Sequence, residues 1–423
     1  MEDNYLPRYA DSQLEHLLGV TGAVLIRGPK WCGKTSTGER QANSVLFMQD
    51  PDGLEMRLRT AKETPSLLLT GDKPLLIDEW QMEPKLWDAV KFAIDRHSGA
   101  GQYILTGSAT PSVHPAHSGV GRFSILDMRT MSLAETGEST AQVSLQALFD
   151  GGDFAGATSK LDFEDLAFII CRGGWPEAVL ASSQDTALDM ARQYVELLLE
   201  NDISRMDGTQ RNRKWMELIM KSYARTTAQP AKQTTIRLDM GDSAPSRPTL
   251  SDYLDVLNRA FVIEGLPGWE PSLRSKVAAR TSPKCHFADP SIGCAVSGIT
   301  PDILLKDANT FGLYFESLCV HELRVYAETF GGRVYYFRNA NNLEADAVVV
   351  MPDGRWGLVE VKLGESQAEV GADSLRRVAG QVDQANMGAP SFLLVLTGGT
   401  MATVLRDDGK PDVAVVPLGA LCA

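Results

Sequence analysis

Gly28-Pro29-Lys30-Trp31-Cys32-Gly33-Lys34-Thr35 matches GxxxxGK[ST] at every fixed position, and the apolar run Ala23–Arg27 (AVLIR) leads directly into it. The pattern has meaning only in that context. A strand must deliver the chain into the loop and a helix must leave it, so that successive backbone N–H groups form a nest for phosphate oxygens. The positive end of the following helix adds to the nest. In such a loop Lys34 supplies a point charge at the β- and γ-phosphates, and the Thr35 hydroxyl is a natural ligand for Mg2+. Pro29, Lys30, Trp31 and Cys32 fill the variable positions, where Trp31 and Cys32 read as packing residues.

Outward from the loop, Pro74-Leu75-Leu76-Ile77-Asp78-Glu79 is an apolar strand ending in two acids. Beside a phosphate loop, Asp78 is expected to hold the metal and Glu79 to polarise an attacking water. Taken alone, the same segment also fits a buried strand with solvated acids at its end. The strand Gln102–Thr106 ends in Thr106-Gly107-Ser108, which offers hydroxyls between the metal site and the γ-phosphate. Arg122 follows a flexible stretch and has two readings: neutralising transition-state charge, in its own subunit or a neighbour's, or forming a surface salt bridge.

The first third of the chain alternates short apolar strands with helical stretches, the pattern of an α/β fold with a parallel sheet. Its strands are expected at Ala23–Arg27, Ser44–Met48, Pro74–Asp78, Gln102–Thr106 and Phe123–Asp127. Leu86–Ile94 reads as an amphipathic helix and Ser108–Gly121 as a loop. From about Asp162 to Ala260 the pattern is helical, clearest at Ala187–Asn201, Lys214–Arg225 and Leu250–Arg259, the last with Thr249 or Ser251 near its cap. Thr227–Arg247 reads as broken, and Gly173-Gly174-Trp175-Pro176-Glu177 as a tight turn with a packed tryptophan. A second α/β region follows, with a helix at Tyr314–Phe330, strands at Arg333–Phe337, Ala345–Val350, Trp356–Lys362 and Ser391–Thr397, and a helix near Leu375–Gln384. The expected division is an ATPase domain over 1–160, a helical and winged-helix-like domain over 161–305, and a C-terminal domain over 306–423. At 423 residues the chain is too long for one ordinary core.

The formal charge of −13 argues against a protein that coats nucleic acid through bulk positive charge. A local basic patch remains open. Arg211, Arg213, Lys214, Lys221 and Arg225, with Arg274, Lys276 and Arg280 further on, would track DNA phosphates. The preferred alternative is helices packed against protein with those residues solvated. No apolar run reaches the ~20 residues that span a bilayer, and the acidic start lacks the features of a signal peptide. Six scattered cysteines without a CxxC pair favour neither a metal site nor a disulfide framework. A cytoplasmic protein is the expectation.

In the last third, Asp346 lies in one expected strand, and Glu360-Val361-Lys362 lies in the next. Strand alternation puts Glu360 and Lys362 on one face. Asp346 and Glu360 would then share Mg2+, with Lys362 orienting or deprotonating water for attack on a phosphodiester. Glu316 or Glu322 on the preceding helix would add a ligand, and Gln381 would touch substrate. Acid–apolar–lysine triplets are common at strand ends, so the pattern is weak without its neighbours.

Together with YLPRYAD near the start, LLIDEWQ, ILTGS, GRF before the MSLAE segment, GGWPEAVL, GLYFESL and LVEVK, these motifs follow one order. The chain resembles, over nearly its whole length, the prokaryotic AAA-type ATPases that carry a C-terminal domain of unknown function. The resemblance implies an ATPase module, a helical or winged-helix middle, and a C-terminal domain similar to PD-(D/E)xK nucleases. By position it implies Gly28, Gly33, Lys34 and Thr35 for nucleotide, Asp78 and Glu79 for metal and water, and Arg122 as an arginine switch or finger. Ser108-Ala109-Thr110 gives no firm second polar sensor. ATP is expected over GTP, because no guanine-reading NKxD segment is evident. The expectation is an ATP-driven switch attached to a nuclease-like effector, with DNA as the candidate target. The alternatives are a regulatory ATPase that only binds a partner protein or nucleic acid, and a nucleotide-binding scaffold without rapid hydrolysis. A homo-oligomer is required if Arg122 acts in trans.

Overall fold

Alternate residues of the Ala23–Arg27 strand are committed to opposite faces, and both faces are apolar, so the strand must be covered on both sides. The computed structural model describes residues 5–97, 99–108, 119–152, 154–202, 209–271, 282–339 and 341–423. In it Ala23–Arg27 is β1, followed by β2 (Ser44–Phe47), β3 (Leu75–Asp78), β4 (Tyr103–Gly107) and β5 (Phe123–Asp127). They form one sheet in the order β2-β3-β4-β1-β5. Every pairing is parallel, with Ala23 opposite both Tyr103 and Phe123. Val24 and Ile26 pack with Leu76, Ile104 and Leu126 against Ala10, Leu14 and Leu18 of the helix Tyr9–Val20. Ala23 and Leu25 pack on the other face with Leu75, Ile77 and Leu105 against Leu86, Val90 and Ile94 of the helix Lys85–Arg96. Two covered faces explain why β3 and β4 read as continuous apolar runs.

This sheet belongs to one compact unit, Met1–Thr130 with Glu200–Arg211 and Asp255–Val262; the other is Met131–Leu199, Asn212–Leu254 and Ile263–Ala423. The division differs from a boundary at residue 160. Val143–Ser144 (β6) pairs with Leu421–Cys422, at the far end of the second unit, and not with the parallel sheet.

The second unit holds a six-stranded mixed sheet. Its strands are β7 (Arg333–Arg338), β8 (Glu344–Val350), β9 (Trp356–Lys362), β10 (Leu393–Thr397), β11 (Thr403–Leu405) and β12 (Val413–Pro417), and β13 (Leu421–Cys422) pairs with β6 instead. The order is β11-β12-β10-β9-β8-β7, with β7-β8-β9 an antiparallel meander and β9-β10-β12 parallel. The buried helix Ala308–Thr329 packs on the sheet. It begins a turn and a half before the expected Tyr314, because the Asp307 carboxylate accepts from the N–H groups of Asn309 and Thr310 at 3.1 and 3.2 Å.

Other departures have local causes. The helix expected near Leu375–Gln384 runs over Ala368–Ala379, leaving Gln381 beyond its end and exposed. The helix expected from Leu250 starts at Arg247, because Ser246, and not Thr249 or Ser251, accepts the capping bond from the Thr249 N–H at 3.3 Å. Pro248 in that first turn lacks an N–H the helix would not have used. Inside the stretch read as broken, Gln233–Asp239 is helical. The segments 227–230 and 263–266 bridge to 284–287 beside these helices.

Candidate functional site

In a parallel sheet every strand presents its C-terminal end at the same edge, and ligands collect there. At that edge lie the loop after β1, Asp78 and Glu79 at the end of β3, and Thr106 to Ser108 at the end of β4. Gly28 cannot be replaced without moving the backbone, since a Cβ would collide with the Met128 carbonyl. Trp31 and Gly33 hold left-handed conformations at φ 64° and 100°, which curl the loop before the helix Lys34–Gln41. Cys32 is fully buried, with its thiol 3.6 Å from the Met128 carbonyl, the packing expected of it. Arg8 fastens the loop from behind, donating to the Cys32 carbonyl at 2.7 Å and the Arg129 carbonyl at 2.9 Å. Sequence reasoning assigned Arg8 no task, although the YLPRYAD motif contains it.

Lys34 is 5% exposed, and its ammonium donates to the carbonyls of Gly28 and Pro29 at 3.1 and 2.7 Å. Among the described residues it meets no carboxylate, so a buried positive charge faces only neutral loop oxygens. Such a charge calls for an anion. The N–H groups of the turn and the helix terminus are donors of the same kind, and triphosphate oxygens fit this set.

The neighbouring acids are held by hydroxyls and amides. Asp78 is fully buried; its Oδ1 accepts from Thr35 Oγ1 and Thr106 Oγ1, both at 2.7 Å, and its Oδ2 from Gln49 Nε2 at 3.3 Å. A hydroxyl and a carboxylate in contact at a phosphate loop are the hard oxygen donors that suit Mg2+. Glu79 adopts a left-handed conformation at φ 55°. Its N–H donates to Thr106 Oγ1 at 3.2 Å, and its carboxylate accepts from Ser108 Oγ at 2.8 Å and from Gln81 Nε2. Thr106 thus ties the Asp78 carboxylate to the Glu79 backbone. Gln49 lies outside every motif and carried no sequence signal, and Gln81, although it closes LLIDEWQ, was assigned no task.

Lys34, Thr35, Asp78, Glu79, Thr106 and Ser108 come together. Arg122 does not join them in the same chain. Its carbonyl accepts from the N–H of Ala23, which puts it at the N-terminal edge of the sheet. Four residues of β1 at about 3.3 Å each separate that edge from the loop. Its guanidinium pairs with Asp95 at 2.5 Å and is half exposed.

In the second unit the D…ExK residues also converge. Glu316 on the helix Ala308–Thr329, Asp346 on β8, and Glu360 and Lys362 on β9 meet around one buried position. Lys362 Nζ is 2.7 Å from Glu360 Oε1, and Asp346 Oδ2 accepts from the Val361 N–H at 2.9 Å. Burial, then Asp346, push the Glu360 carboxyl up to about 7; the same two causes in the same order push Glu316 up to about 8. Glu322 is not part of this group. It accepts from the Leu133 N–H at 2.9 Å and from Tyr326 Oη at 2.5 Å.

A residue unremarked in the sequence dominates the site. Lys284 is 1% exposed, and its ammonium lies 2.7 Å from Glu316 Oε1, 2.7 Å from Glu344 Oε1 and 3.1 Å from Asp346 Oδ1. Burial alone would lower its pKa; Asp346, Glu316 and Glu344 outweigh that and hold it well above the usual lysine value. Asp346 and Glu360, expected to share a divalent ion, each face an ammonium instead. These residues do not fit a resident Mg2+.

The turn at Gly173–Glu177 is structural. Trp175 Nε1 donates to Ser291 Oγ at 3.0 Å, the Gly174 N–H donates to Asp289 Oδ2 at 2.9 Å, and a Cβ on Gly174 would strike the Met131 carbonyl. Of the basic residues, Arg213, Lys221 and Arg225 pair with Glu196, Glu217 and Asp239, each at 2.6 Å. Arg274, Lys276 and Arg280 lie outside the described residues.

Residues 21–137 match the AAA domain family. The N-terminal part of the chain is an ATPase-like domain. Residues 163–303 and 311–420 match two domains of unknown function, DUF8612 and DUF4143. Uncharacterised proteins of Mycobacterium bovis and Mycobacterium tuberculosis are each 23% identical over 366 residues, 84% of this chain and 73% of their own length. A Walker-type ATPase of Pyrococcus abyssi aligns at 13% identity and a TM-score of 0.42, covering 69% of this chain and 96% of its own. Among the described residues no helix is long and apolar enough to cross a membrane.

Proposed function

We propose that the chain is an Mg2+-dependent ATPase that acts as a switch, with its C-terminal domain as the effector. The observation that carries this reading is the joined set Thr35–Asp78–Thr106–Glu79 beside the buried Lys34 charge. The N–H groups of Gly28–Thr35 and the Lys34 ammonium bind and orient the triphosphate. Thr35 and Asp78 would hold Mg2+, which neutralises charge between the β- and γ-phosphates when bound. Glu79 accepts a hydrogen bond from the attacking water and aligns it, while Ser108 and Gln81 keep its carboxylate in place. Arg122 lies too far from its own loop to contribute there and forms a surface salt bridge with Asp95, so a catalytic role for it would require a neighbouring copy in a homo-oligomer. Calorimetric titration with ATP tests the binding step: Lys34→Ala should lose affinity, and equal affinity in the variant would remove the basis of the proposal.

For the effector, the D…ExK motif supports a nuclease-like fold, and the helix–helix–helix–bridge order before it supports a winged-helix-like module. Two outputs follow, cleavage of DNA or binding of a partner protein or nucleic acid without cleavage. The ammonium of Lys284 among the acids favours binding without cleavage. Incubating plasmid, linear and single-stranded DNA with Mg2+ or Mn2+, with and without ATP, separates the two. Intact DNA is expected; cleavage lost in Asp346→Ala and Lys362→Ala would restore the nuclease reading.

A further inference from the structure

We infer that the cation of the C-terminal acidic site is the protein's own Lys284, which takes the place a divalent metal would otherwise fill. The inference deepens the non-cleaving reading of this domain and rests on the convergence of Glu316, Asp346, Glu360 and Lys362 described above.

Three observations carry it. The first is position. The Lys284 ammonium makes three short contacts, to Glu316, Glu344 and Asp346, and these come from the helix and the strand that frame the site. A metal bound through Asp346 Oδ1 would compete with the Lys284 ammonium, and Oδ2 already accepts from the Val361 N–H.

The second is charge. Glu316, Glu344, Asp346 and Glu360 face Lys284 and Lys362, and Arg338 lies 3.8 Å from Glu344. Glu316 keeps its proton below about pH 8, so three carboxylates against three bases balance without any ion. Adding a dication would leave the buried cluster positively charged, which low dielectric penalises. Removing Lys284 leaves the acids with a net negative charge that needs a cation.

The third is rigidity. Lys284 does not sit on a free loop end. Its N–H and carbonyl both bond to Leu266 at 2.9 Å, and the next N–H, of Cys285, donates to the Gln229 carbonyl at 3.0 Å. The side chain crosses the Tyr336 ring, with Nζ 5.7 Å from its centroid. The backbone therefore delivers the ammonium to a fixed point, as a bound ion would be held.

The test is Mn2+ binding to the full, nucleotide-free chain, followed by the loss of the free-ion electron paramagnetic resonance signal. Wild type and Asp346→Asn should bind Mn2+ equally, because no Asp346-dependent site exists. Lys284→Ala should gain about one ion per chain by the charge argument, and Lys284→Ala with Asp346→Asn should lose it. If Lys284→Ala is poorly folded, Mn2+ should raise its thermal midpoint while leaving that of wild type unchanged. Lys284→Met with Glu316→Gln, which removes the ammonium together with one candidate ligand, supplies a folded comparison that should gain less. An Asp346-dependent Mn2+ site in wild type would overturn the inference, as would a Lys284→Ala protein that neither binds Mn2+ nor is stabilised by it. The readout is separate from cleavage: a variant that binds Mn2+ but leaves DNA intact supports the inference, whereas wild-type cleavage without an Asp346-dependent site would overturn only the non-cleaving reading.

Discussion

Replacing Thr106 with valine removes one hydroxyl and almost no volume, and the structure gives that hydroxyl two tasks. It donates to Asp78 Oδ1 at 2.7 Å and accepts from the Glu79 N–H at 3.2 Å. A bond to an ionised acceptor contributes about 2 kcal/mol, and a buried N–H left without an acceptor costs about 1–3 kcal/mol. Together they come to about 3–5 kcal/mol, whose lower end corresponds to roughly a hundredfold in rate if the bonds hold both acids in their working positions. Steady-state ATP hydrolysis by Thr106→Val should therefore fall about a hundredfold in kcat, with a lower thermal midpoint for the ATPase unit. Thr106→Ser keeps the oxygen and should stay within about threefold of wild type. A Thr106→Val protein with wild-type kcat would refute the reasoning, because Asp78 and Glu79 would then not depend on their shared hydroxyl.

Arg122→Ala should leave the thermal midpoint unchanged, since the pair with Asp95 is exposed, and should lower turnover only at concentrations where chains associate. Mixing it with Glu79→Gln should recover activity, and turnover per chain independent of concentration would count against a role in trans. Because Glu316 is raised from 4.5 to about 8, the folded chain keeps a proton there that the unfolded chain has released. Stability therefore falls as pH rises through that interval. Urea unfolding should show the slope flattened in Glu316→Gln, and an unchanged slope would contradict the assignment. Trp175→Phe loses the bond to Ser291 and part of the stack on Tyr194; chemical unfolding should register a loss of about 2 kcal/mol, with ATP affinity retained.

What could be read beforehand follows the range of the interactions. The parallel sheet was legible because strands buried on both faces write continuous apolar runs, and β1, β5 and β9 begin and end where expected. The phosphate loop was legible because its chemistry is local: eight consecutive residues carry the donors, the cation and the hydroxyl. Arg122 was named but not located, since which end of a sheet a residue occupies depends on strand pairing. Lys284 was invisible for a related reason. Its partners lie 32, 60 and 62 positions away, and nothing in Ser282-Pro283-Lys284-Cys285 distinguishes a buried counter-charge from a solvated lysine. The Asp307 and Ser246 caps moved helix starts by six and three residues, because a cap is set by which oxygen reaches a free N–H.

The central claim, that the joined acids beside the phosphate loop hydrolyse ATP, is tested most directly by single-turnover hydrolysis of pre-bound ATP with Mg2+. Wild type should convert the bound nucleotide to ADP and phosphate. Glu79→Gln, which keeps the side-chain size and its place beside Ser108, should bind ATP with unchanged affinity and leave it intact. Equal single-turnover rates in wild type and Glu79→Gln would contradict the account.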